Sequence, residues 1–160
     1  MVLRSIENSE THRKQLNGEI NKVILEFGMA CKIGNDKVVK VILSDPIHRR
    51  LIHAQGDSGN TGFLYSCILG HLNLIDLFLN DGDSNKFLNS FNFDGNSGLI
   101  LACRNDHHTI VQRILNHPAT TFEMVNSRNN DVDRALDIVQ RNPYRYKKIR
   151  PLLLRYYELL

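Results

Sequence analysis

Along the middle of the chain the apolar residues come in short runs at helical spacing. Phe63, Ser66 and Cys67 lie at i, i+3 and i+4 and make one narrow stripe. Leu74, Ile75, Phe78 and Leu79 make a second. Thr61, ahead of the first run, can cap a helix N-terminus through its hydroxyl. Gly70, between the runs, can end that helix because glycine readily takes left-handed backbone. Asp81-Gly82 breaks the second run, and a polar connection leads to Asp94-Gly95-Asn96-Ser97, where the same features restart. The pattern predicts helix-turn-helix units. Neither helix of such a unit can bury its stripe alone, so the units must stack.

The restart has a fixed step. The three cysteines, Cys31, Cys67 and Cys103, are each 36 residues apart. Phe27, Phe63 and Leu99 keep that step, as do Val39, Ile75 and Val111, then Ile42, Phe78 and Ile114, and Leu43, Leu79 and Leu115. Gly34, Gly70 and Asp106 follow it, and so do the pairs Gly59/Gly95, Asn60/Asn96, Thr61/Ser97 and Gly62/Gly98. The apolar pairs Leu51-Ile52, Phe87-Leu88 and Met124-Val125 also recur, which predicts a short apolar turn under each connection.

On these residues the chain resembles the ankyrin-repeat family. The stretch from Gly59 to His71 matches the element whose signature is Thr-Pro-Leu-His-x-Ala, and Ser97–Cys103 and Phe27–Asn35 match it again. Gly62 and Gly98 stand where the family has Pro, and Leu64 and Ile100 stand where it has His. The step exceeds the family's roughly 33 residues. The resemblance implies an all-α solenoid of stacked helix-turn-helix repeats with short β-turn fingers. Repeats are expected near residues 20–56, 57–92, 93–129 and 130–160, the last degenerate, with Ala135–Val139 as its first helix. Pro143 and Pro151 should disturb both ends of its second helix. Residues 9–33 read as helical with Ser9 as the cap. Residues 1–19 form a capping helix whose Arg13, Lys14, Gln15 and Glu19 seal the stack against water.

The resemblance also implies a function. Ankyrin-like stacks hold partner proteins across a concave groove, touching finger tips and the ends of first helices. Those positions are Lys32 and Ile33, then Asn60, Ile68 and Leu69, then Phe93, Asn96, Arg104 and Asn105. Ile33, Ile68, Leu69 and Phe93 are apolar where water favours polar residues, and are expected to join into one patch. The expected partner is another protein, with no small-molecule substrate, cofactor or metal. An effector acting in a host cytosol, and a targeting module of a larger enzyme, are both compatible with that role.

Other chemistry is weaker. The net charge of +3 is too small to imply nucleic acid. No apolar run reaches the roughly 18–20 residues of a membrane span, and the N-terminus turns polar too early for a secretory leader. The default compartment is therefore a cytosol, where three buried thiols stay reduced. Cys67/His71 and Cys103/His107 share a C-x3-H spacing and Asp106-His107-His108 clusters, but zinc needs four converging ligands. These histidines are expected as solvated helix starts, and His48, His53 and His117 as loop residues. His12 has no Ser or Cys near it to activate, and no catalytic motif appears. The segment 141–155 is basic, with Arg141, Arg145, Lys147, Lys148, Arg150 and Arg155. Tyr144, Tyr146, Tyr156 and Tyr157 lie in and just beyond it. This segment is the alternative site, for phosphate or nucleic acid, against the plainer reading of a capping helix.

Overall fold

The computed structural model describes the backbone of residues 2–158 and the side chains of residues 13–158. The helices are α1 (Val2–Ile33), α2 (Asp36–Ser44), α3 (Gly62–Leu69), α4 (Leu72–Leu79), α5 (Ser84–Leu88), α6 (Gly98–Arg104), α7 (His108–Leu115), α8 (Phe122–Asn126), α9 (Ala135–Arg141) and α10 (Ile149–Glu158). The inner row runs α1, α3, α6, α9, each packed on the next, and the outer row runs α2, α4, α7, α10. Among the described residues no β-strand forms. The fingers are loops, and one isolated bridge joins Phe91 to Ser97.

Local signals do what the pattern predicts. Thr61 and Ser97 accept from the Leu64 and Ile100 backbone N–H groups at 3.4 and 3.3 Å and so start α3 and α6. Gly70 ends α3 at φ 80°. At the equivalent place Asp106 takes φ 59° itself. The difference has a steric cause. A Cβ on Gly70 would lie 2.6 Å from the His107 ring, whereas the corresponding place after Asp106 is Pro143 and carries no such ring. The recurring apolar turns are one 3-10 turn at Arg49–Leu51 and the short helices α5 and α8. They bury Ile52, Phe87, Leu88 and Val125 in the single core that runs through the stack.

The glycines that replace the family's proline have a packing reason. A Cβ on Gly62 would lie 2.6 Å from Cys31 Sγ and 2.7 Å from Phe27. One on Gly98 would lie 2.6 Å from Phe63 and 3.0 Å from Cys67 Sγ. Each glycine is the seat on which the previous repeat rests its cysteine and aromatic ring. The cysteine step is thus a ladder of inter-repeat contacts. All three thiols are free and fully enclosed. Burial pushes the Cys31 thiol up to about 12 and raises the other two as well.

Three expectations need correction. Position 9 is not a helix start, because α1 runs unbroken from Val2 to Ile33. Residues 2–19 therefore continue the first inner helix, and Arg13, Lys14, Gln15 and Glu19 stand in solvent along it. The side chain of His12 lies outside the described residues. Pro143 precedes α10 altogether, and Pro151 sits in its first turn, where a missing N–H costs nothing. His71 and His107 are not solvated starts. Their Nε2–H groups donate to the Lys32 and Ile68 carbonyls, each at 2.9 Å, and so tie each outer-helix start to the previous inner-helix end. His117, just after α7, donates to the Leu79 carbonyl at 2.9 Å and so ties the ends of the outer helices α7 and α4.

Candidate functional site

The side of the stack expected to be concave is built from the exposed flanks of the inner helices and from the fingers. Lys32 lies near the end of α1, and its ammonium sits 4.5 Å from the centre of the Tyr65 ring. Ile33 follows it, 65% exposed, and its equivalent Leu69 ends α3 at 47%. Ile68 is half-buried. Arg104, its equivalent on α6, reaches across to Asp131 on the last finger at 3.3 Å. Asn105 is exposed and donates to the Leu101 carbonyl at 2.8 Å, closing α6.

Phe93 is also exposed, at 63%, but on the finger, where its ring lies across Gly59. The expected patch is therefore two features. Ile33, Ile68 and Leu69 mark the C-terminal ends of the inner helices, and Phe93 marks the finger row that precedes their N-termini.

Asn60 and Asn96 are a correction. They are 8% and 2% exposed, so neither projects as a finger-tip contact, although Asn60 lines the cavity at the α1 end of the stack. Both belong to a buried asparagine ladder that joins the fingers. Asn92 Nδ2 donates to Asn60 Oδ1 at 3.2 Å, and Asn129 Nδ2 donates to Asn96 Oδ1 at 2.9 Å. Asn92 Oδ1 accepts from the Asn96 N–H at 2.9 Å, and Asn129 Oδ1 from the Asp133 N–H at 2.9 Å. Backbone bonds from Phe93 to Ser58 and from Asn130 to Asp94 complete the row. The side-chain amides satisfy buried finger backbone that no sheet covers.

Residues outside the expected set, together with Lys32 and Asn60, line a cavity of about 180 Å³ at the α1 end of the groove. Its walls include Leu25 and Met29, which are 72% and 57% exposed, with Gly28, Asp57 and Tyr65. Their signal was present in the 36-residue register. Met29 and Tyr65 are equivalent, and Gly28 stands where Leu64 and Ile100 stand in later repeats.

The basic segment is used internally only in part. Arg141 pairs with Asp133, and Arg145 donates to the Arg104 carbonyl at 3.2 Å while lying over Tyr146. Tyr146 is buried. The Tyr156 and Tyr157 hydroxyls donate to the Thr120 carbonyl and to Asn126 Oδ1. Lys147, Lys148, Arg150, Arg155 and Tyr144 remain exposed. Among the described residues no group of three or more His, Cys, Asp or Glu side chains converges as metal ligands, and no helix is long and apolar enough to cross a membrane.

Two rows of stacked helices, with fingers at one edge and a ladder of identical contacts between units, define a helical repeat solenoid. The chain belongs to the ankyrin-repeat family: the model for ankyrin repeats in three copies matches residues 27–129. No curated protein matches the chain as a relative. Ankyrin repeats are in general protein–protein interaction modules and typically non-catalytic.

Proposed function

We propose that this chain is a non-catalytic binding module that holds a partner protein in its concave groove, through Lys32, Ile33, Ile68, Leu69, Phe93, Arg104 and Asn105. The observation that carries the reading is the run of large apolar side chains left in solvent there. Leu25, Met29 and Ile33 follow one flank of α1, and Leu69 continues it on α3. Large contiguous apolar surface on a folded protein marks an interaction site. The rest of the groove is rigid, held by the asparagine ladder and the histidine-to-carbonyl ties, so little ordering entropy is lost on association. An effector acting in a host cell and a targeting unit of a larger enzyme both depend on that same act of binding.

The test is affinity capture from a lysate with wild type and an Ile68→Asp, Leu69→Asp double variant side by side. Circular dichroism should show unchanged helicity in the variant, while the captured proteins disappear. Capture that persists in the variant rejects the groove. Persistent capture that falls steeply with salt would assign binding to the basic segment 141–155 instead.

A further inference from the structure

We infer that the cavity beside Gly28 is an anchor pocket for one apolar side chain of a partner protein segment that carries an acidic residue one helical turn away. This rests on the groove reading above and names the partner's chemistry.

The pocket exists because of one residue. At the position of Gly28 the next two repeats have Leu64 and Ile100, both essentially fully buried. A Cβ built on Gly28 meets no atom within 4 Å. What those side chains fill in their own repeats is left open here, at about 180 Å³. That is below the roughly 300–1,000 Å³ of a small-molecule site. It suits a single side chain inserted from outside, as at the centre of protein interfaces where one well-packed anchor dominates.

Charge selects what accompanies the anchor. Lys32 forms one end of the pocket, with its ammonium held over the Tyr65 ring at 4.5 Å. Two other cations near the groove and fingers have carboxylates: Arg104 has Asp131 and Arg141 has Asp133. Among the described residues no carboxylate lies within salt-bridge reach of Lys32. The ring fixes the exposed ammonium without neutralising it, so a partner carboxylate meets a positioned, unpaired cation. Asp57, which also lines the cavity, repels that carboxylate and so favours the segment with its acid on the Lys32 side. A second copy of this chain is the competing occupant.

The probe is a displayed library of random peptides selected on the whole chain, with enriched peptides remeasured by fluorescence anisotropy. Expected is enrichment of an apolar residue with Asp or Glu a turn away. Gly28→Leu, which restores the residue type of the later repeats and raises helix propensity, should weaken these peptides by about tenfold or more. Lys32→Glu should switch enrichment from acid to Lys or Arg. No enrichment, peptides without that pairing, or full affinity of Gly28→Leu would each overturn the proposal. So would a wild-type dimer in sedimentation that Gly28→Leu splits. If Ile68→Asp with Leu69→Asp removes peptide binding and Gly28→Leu does not, the groove stands and the anchor pocket fails. If neither variant matters, both fail.

Discussion

Adding one methyl group at Gly98 should destabilise the protein, although helix propensity alone forecasts the opposite. The new Cβ would lie 2.6 Å from Phe63 Cε1, 3.0 Å from Cys67 Sγ and 3.2 Å from Phe63 Cζ. Neither neighbour can withdraw. Both are fully buried, and the Phe63 ring is wedged against Phe78 and Phe87 at centroid distances of 5.8 and 6.0 Å. Overpacking of this kind costs about 1–3 kcal/mol. The stiffer unfolded chain returns about 0.4–1 kcal/mol. The net loss for Gly98→Ala is thus about 1–2 kcal/mol, a fall in Tm of about 2–8 °C for a chain of this size. Gly28→Ala is the control, since its Cβ meets open space. It should gain about 0.4–1 kcal/mol. Urea unfolding followed by circular dichroism measures both. If Gly98→Ala is as stable as wild type, the seat between repeats is not the tight contact described above.

Asn92→Ala should cost about 1–3 kcal/mol in the same assay, because it strands the buried Asn60 oxygen and the Asn96 N–H; a loss under about 0.5 kcal/mol would mean that water takes over the ladder. Cys31, Cys67 and Cys103, enclosed and with raised pKa values, should react with an Ellman-type reagent only after unfolding, and rapid reaction of the native protein would contradict their burial. Hydrogen bonds from Arg134 hold the Asp137 carboxyl down at about 2, against an ordinary 3.8. A lowered folded pKa stabilises above the ordinary value, so about 1–2 kcal/mol should be present above pH ~4 and lost as pH falls toward 2. Asp137→Asn should lack that part of the acid dependence, and an identical acid profile would reject the pairing.

What was legible in the sequence was whatever repeats. The 36-residue step exposed the inner and outer stripes, the cysteine ladder, the caps at Thr61 and Ser97 and the αL turn at Gly70, because each unit meets the same physical demand. Departures between repeats were harder to interpret. Asn60 and Asn96 looked like finger-tip contacts, since asparagine favours exposed turns. Their burial follows from pairing with Asn92 and Asn129, which the linear spacing does not reveal. His71 and His107 looked like surface caps for the same reason, and their acceptors lie a full repeat away. The length of α1 was missed because Ser9 looked like a cap, whereas the helix passes through it and through Gly18 and Gly28 without a break. The Gly28 pocket was written as an exception to the pattern, a glycine in a leucine register, and became meaningful only once Leu64 and Ile100 were seen to be buried.

The central claim is that the concave side binds. The direct measurement is amide hydrogen exchange on the whole chain with and without an enriched peptide. Exchange should slow along residues 25–33 and 65–69 and at the fingers around Asp57 and Phe93, with α2, α4 and α7 unchanged. Protection confined to those outer helices, or to residues 141–155, would contradict it.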